Sequence, residues 1–441
     1  GTLRPIGALT TALIVVSTSS AGNSCPNCFD LPAGPALVTG GASDELGTSV
    51  DMQGDRAVIG APSPSGNGYV VTATLAASAW QIAPGPDTVP SSPQNGERFG
   101  DSVAMAGELL VVGAPSFAQG VEPDAGRVLV FEWTGSSWTE IQQLTQPGGP
   151  EADAKFGDAV DLWQDPADPD RYRLIVGAPE ATHSFGGIGD SGAAFILSSD
   201  DGGLTWSADA TLEIPFSASI QEFAPSDGDF FGSAVAIEGD LTVVGAPGYD
   251  EDSVGVGDDR GIAMVAGFDG NWSVLTTLPT DWENPVNERG LGLSVGILDG
   301  LIAVGAPGDV VSDGPGTGGS VASGTVRLAR VFGNAVIETT RLVPESPSGV
   351  FLDLEGLRFG ESVRLFGQAL AVGAPADGPG AVLDPRVEVH LLDPAGISLS
   401  VAASIEDPSI PATTVVAAIN DDGLPSVGFG TVAGPASAGA A

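Results

Sequence analysis

The chain has almost no lysine. Lys155 is the only one in 441 residues, and 15 basic side chains stand against 56 acidic ones, for a net charge of −41. A field of that sign repels phosphate, which excludes nucleic acid and anionic lipid as partners held through their phosphates. Histidine is nearly as scarce. His183 and His390 are the only two, and neither stands beside a Gly-x-Ser-x-Gly elbow, so a Ser-His-Asp triad has little to be built from. The two cysteines, Cys25 and Cys28, form a single Cys-Pro-Asn-Cys. With no second pair and no histidine nearby, neither zinc nor c-type haem attachment is supported, and a redox pair would need a βαβ setting that the pattern lacks. In a secreted chain, Cys25 and Cys28 read as one short local disulfide. No apolar run is long enough to cross a bilayer, and no long amphipathic helical stretch is present.

What is abundant is glycine and proline, 64 and 34 residues, in a chain that is 42% hydrophobic. That mixture suits many short strands joined by tight turns. The stretch Phe99-Gly-Asp-Ser-Val-Ala-Met-Ala-Gly-Glu-Leu-Leu-Val-Val-Gly-Ala-Pro115 reads as a hairpin that turns at Gly107-Glu108 and stops at Gly113-Ala-Pro115. The same pattern recurs at Leu46-Gly47…Pro62, Phe156-Gly157…Pro179, Phe231-Gly232…Pro247, Leu291-Gly292…Pro307 and Phe359-Gly360…Pro375. Six copies mark a repeat architecture. Anchor valines at 50, 103, 160, 235, 295 and 363 keep the hairpins in phase while the insertions between them vary.

After each hairpin comes a third strand-like run, such as Gly126-Arg-Val-Leu-Val-Phe131, and then a fourth. In four copies the fourth is opened by tryptophan, at Trp80, Trp138, Trp206 and Trp272. Four strands per unit predict an all-β propeller of four-stranded antiparallel blades. Residues 413–428, with Val415 in phase, read as a degraded further hairpin, so seven blades are the first expectation and six the second. Residues 36–441 form the propeller. Residues 1–35 stand apart as an extended segment whose apolar part, including Leu13, Ile14, Val15 and Val16, is expected to act as a docking strand. It either closes its own ring or inserts into a neighbouring subunit.

The run Phe-Gly-x-Ser-Val…Val-Gly-Ala-Pro, then Gly-x-Val-x-Val-Phe, then Trp with a following Leu, resembles the bacterial FG-GAP repeat and is similar to the integrin α-subunit propeller. The resemblance spans about residues 40–430. It implies a seven-bladed propeller on a secreted or cell-surface protein that serves adhesion or binding, and it implies no one ligand or reaction. The integrin version carries Asp-x-Asp-x-Asp-Gly calcium loops after several hairpins. This chain departs from that pattern. Only the fourth-repeat loop, with Asp250, Glu251, Asp252, Asp258 and Asp259, holds enough oxygens for Ca2+. Asp165, Asp168 and Asp170, and the turn Asn420-Asp421-Asp422, are poorer candidates, and a solvated acidic loop is the competing reading throughout.

The expected function is therefore non-enzymatic: propeller loops that engage protein or glycan. The alternative is a structural subunit of an extracellular filament, made of copies joined through the N-terminal strand. A hydrolase is the least supported reading, because paired carboxylates arise by chance in so acidic a chain.

Overall fold

The computed structural model describes residues 13–14, 44–76, 79–82, 88–184, 186–215, 225–250, 260–278, 289–312, 320–344, 354–366, 369–375, 386–392, 398–406 and 428–429. Six four-stranded antiparallel sheets, each with its strands in chain order, make up the body. Their innermost strands are Val50–Gln53, Val103–Ala106, Val160–Asp165, Ala234–Glu238, Ser294–Leu298 and Ser362–Phe366. The second strands end on the Gly-Ala of each Gly-Ala-Pro, as in Leu109–Ala114, and the outermost include Trp138–Leu144 and Trp272–Leu278. Among the described residues no helix is long and apolar enough to cross a membrane.

The blade number is the second expectation, not the first. All six innermost strands line one central cavity of about 450 Å3. Arg364 of the sixth blade reaches Asp51 of the first at 3.1 Å, and both line that cavity. The segment read as its hairpin, 413–427, lies outside the described residues, and so do Cys25, Cys28, Val15 and Val16. Of the docking strand, Leu13–Ile14 pairs in parallel with Gly428–Phe429 of the same chain, forming a two-stranded sheet separate from the blades.

The repeated residues hold neighbouring blades together. In every blade the amide of the Phe-Gly or Leu-Gly glycine donates to the carbonyl of the glycine in Gly-Ala-Pro, for example Gly100 to Gly113 at 3.0 Å and Gly157 to Gly177 at 2.9 Å, which closes that blade's own inner hairpin and sets the glycine at its edge. At four junctions the aromatic or leucine before that glycine bridges in parallel to the glycine that opens the third strand of the preceding blade: Gly126 with Phe156, Gly192 with Phe231, Gly261 with Leu291 and Gly324 with Phe359. The side chains of Phe99, Phe156, Phe231, Leu291 and Phe359 are completely buried. Burying a phenylalanine contributes about 1.5–3 kcal/mol each, so the motif is the main apolar tie between blades. Serines add a polar tie, since Ser49, Ser102 and Ser294 donate to the carbonyls of Gly100, Gly157 and Gly360, each at 2.8 Å and each in the next blade.

The ring therefore has two unlike ends. One carries the short hairpin turns such as Gly107-Glu108. The other carries the loops after Gly-Ala-Pro together with the links that run into the next Phe-Gly.

Candidate functional site

The loop end carries sequence that differs between copies. The second-blade loop projects Val121, 91% exposed, and the fourth-blade entry exposes Phe230 at a φ of 55°. The fifth blade inserts an extra hairpin there, Val310–Ser312 against Ser320–Ala322. Large apolar side chains left in water on a rigid frame, on loops, are the usual raw material of a binding surface.

Charge at this end is mostly negative and partly desolvated. Arg98 binds Asp101 at 2.6 Å and also reaches Glu45 at 3.5 Å in the preceding blade. Asp158, at the equivalent place in the third blade, is pushed up to about 7, first by burial and then by the charge of Asp101, with Arg98 opposing. Asp229 is pushed up to about 6 by burial, against hydrogen bonds from Ser226 that hold it down, while Asp250 raises it further. A carboxylate near neutrality is poised to change charge when a partner docks.

The calcium set is only partly in view. Asp250 sits half-buried after the fourth Gly-Ala-Pro, whereas Asp252, Asp258 and Asp259 lie outside the described residues. Among the described residues no three His, Cys, Asp or Glu side chains converge as a metal would require, so Asp250 alone does not fit a calcium site. Of the poorer candidates, Asp165 and Asp168 are engaged with Arg171, while Asn420-Asp421-Asp422 lies outside the described residues. Asp165, Asp168 and Asp200 surround Arg171 at 3.4, 4.0 and 3.0 Å, at the turn end.

Both histidines are buried. His183 is buried with Nε2 at 3.0 Å from the Ile214 carbonyl, which makes that nitrogen the donor. His390 is buried in the sixth blade, 3.2 Å from Glu388, edge-on to Phe359.

The central channel holds charged residues that sequence reasoning passed over. The position after each anchor valine is Asp51, Ala104, Asp161, Ala236, Gly296 and Arg364 around the ring. Asp51 accepts from the Met105 amide at 2.6 Å, and Asp161 accepts from the Ile237 amide at 2.7 Å, so each caps the inner strand of the next blade. Burial pushes Asp161 up to about 7. Arg364 lowers it, and Asp51, which already binds that arginine, raises it. The signal was legible as a polar residue at one fixed place in a repeat that elsewhere holds alanine or glycine.

No curated protein sequence matches the chain. Among solved structures it is similar to one described as a 6-phosphogluconolactonase from Bacteroides fragilis, with 9% identity and a TM-score of 0.45 over 84% of this chain and 86% of that one. Residues 89–131 and 222–265, which cover most of the second blade and the approach and first three strands of the fourth, match the family model for the FG-GAP repeat. The chain therefore carries FG-GAP repeats at two blades, and the Phe-Gly to Gly-Ala-Pro hydrogen bond found there recurs in all six.

Proposed function

We propose that the chain is a non-enzymatic binding module of the bacterial exterior, whose loop end engages a protein or glycan on another surface. The observation that carries this reading is the division of labour around the ring. Repeated residues pack neighbouring blades against one another, while the loop end carries insertions that differ between copies, with Val121 and Phe230 exposed there. Binding sites on loops held by a rigid scaffold follow the same division. The two histidines add support, because both are committed to partners inside the fold. The parallel pairing of Leu13–Ile14 with Gly428–Phe429 favours use of the N-terminal strand within its own chain over insertion into a neighbour.

The test is adhesion of the fluorescently labelled chain to cells and to immobilised matrix proteins and glycans. Val121→Glu and Phe230→Ala should each weaken attachment, while Leu204→Glu, at an exposed turn on the opposite end, should not. Equal loss from all three, or no attachment at all, would remove the reading. Immunodetection in washed cells and medium tests the exterior location. Calcium at the Asp250–Asp259 loop is part of the same proposal, and a melting temperature that does not change with chelator would take the metal out of it.

A further inference from the structure

The junction between the fourth and fifth blades has a groove at the turn end that its counterpart two blades earlier lacks. The second strands of blades two and four begin with equivalent leucines, Leu109 and Leu241. Leu109 is 1% exposed because the long turn of the third blade, Asp200–Trp206, lies over it: a Cβ on Gly203 would come within 2.4 Å of its methyl group. That turn is held shut by Trp206, whose Nε1 donates to the Gly203 carbonyl at 2.9 Å. In the fifth blade the corresponding turn is only Gly333-Asn334, between strands ending at Phe332 and starting at Ala335. Leu241 is left partly exposed, and a cavity of about 280 Å3 opens over it.

The lining has two kinds of surface. Leu241, Leu275 and Val331 form apolar walls, and Asp269, Ser273 and Asn334 stand around them. These three polar side chains are exposed and have no hydrogen-bond partner among the described residues. Together they offer a carboxylate acceptor, a hydroxyl that donates and accepts, and an amide that does both. Asp240, also at the groove, is already paired with Arg173 at 2.6 Å, so the carboxylates do not converge on a cation. The net charge of −41 rejects anions. The space is smaller than the roughly 300–1,000 Å3 of a drug-sized site and far below a protein interface.

We infer that this groove binds a neutral saccharide ring, which presents apolar C–H faces to Leu241, Leu275 and Val331 and hydroxyls to Asp269, Ser273 and Asn334. The site lies at the opposite end of the ring from the loops proposed above and stands independently of them.

The experiment is calorimetric titration of the full chain with the methyl glycosides of glucose, galactose, mannose and N-acetylglucosamine, beside glucuronate and N-acetyl-lysine amide. At least one neutral glycoside should bind, and glucuronate should not. Asp269→Ala and Asn334→Ala should each weaken it about fivefold or more, the scale of one lost hydrogen bond. Leu241→Arg should abolish binding, because it puts into the groove the side chain that blades one and three carry at this position, Arg56 and Arg173. Unchanged circular dichroism and melting would show each variant folded, and Val121→Glu should bind the glycoside as the parent does. The inference is overturned if no neutral glycoside binds at about 10 mM. It is equally overturned if only the lysine amide binds, or if the three groove variants bind like the parent.

Discussion

The carbonyl oxygen of Gly157 occupies the place that a side chain on Gly113 would need. A Cβ built there would lie 1.9 Å from that oxygen, and the same relationship links Gly60 to Gly100, Gly177 to Gly232, Gly245 to Gly292 and Gly305 to Gly360. Backbone of one blade thus touches backbone of the next, and neither side can move aside without breaking its sheet. Gly113→Ala should cost 3 kcal/mol or more on the scale of severe point mutants, about the most a methyl group can do. Gly135→Ala, at a φ of 91° with nothing within 4 Å, bears only the backbone cost of about 1 kcal/mol. Urea melts of the two variants should therefore separate clearly, and equal midpoints would mean that the contact is not tight.

The ion pair of Arg127 with Glu97, 2.6 Å apart and 1% and 0% exposed, is sealed between the entry to the second blade and its third strand. Glu97 is raised, chiefly by burial, with Arg127 opposing. Arg127 also donates to Gln143 and to the Ser92 carbonyl, each at 3.0 Å. Arg127→Met strands a buried carboxylate and should lose about 3–5 kcal/mol. Arg127→Met with Glu97→Gln should recover part of that loss. A double variant no more stable than the single would show that the charge of Glu97 is not what makes the arginine necessary.

Strand number, blade composition and the locking role of Phe-Gly and Gly-Ala-Pro were legible in the sequence because each depends on local pattern repeated six times. The blade count was not, because Val415 and its neighbours match the pattern weakly, whereas six four-stranded sheets stand among the described residues. Nor was a two-blade alternation apparent. Arg56 and Arg173 each stand four residues before the Gly-Ala-Pro glycine in the second strands of blades one and three, and Asp51 and Asp161 line the channel in the same two blades. Their partners, the aromatic pairs Trp133–Trp138 and Phe268–Trp272, belong to blades two and four. Comparing adjacent copies hides a relationship that links alternate ones, whereas the loop end was legible as the place where the copies differ, though insertions have no pattern from which to read their individual contacts.

That alternation is itself testable. The Arg56 guanidinium lies over Trp133 and Trp138, 5.3 and 5.8 Å from their centroids, and pairs with Glu108 at 3.0 Å. Arg173 repeats the arrangement on Phe268, Trp272 and Asp240. Arg56→Met and Arg173→Met should each cost about 1 kcal/mol, and the two should add, because the junctions share no partner. Tryptophan emission should change in both. A cost near zero would make the stacks incidental.

Asp161 gives the channel a pH dependence of definite sign. Its folded value near 7 exceeds the ordinary 3.8, so between those limits the folded state binds more protons than the unfolded one. Stability from this group is complete below about pH 4, falls as pH rises toward 7 and is flat above. Asp158, also near 7, and Asp229, near 6, push the same way. Asp161→Asn keeps an oxygen to accept from the Ile237 amide and removes the titration. The parent should melt at lower temperature at about pH 8 than at about pH 5, and the variant's slope should be shallower without vanishing, because the other two aspartates remain. Total charge also grows with pH and loosens any acidic protein, but it does so almost equally in both chains. The difference in slope isolates Asp161, and parallel melting curves would place its proton elsewhere.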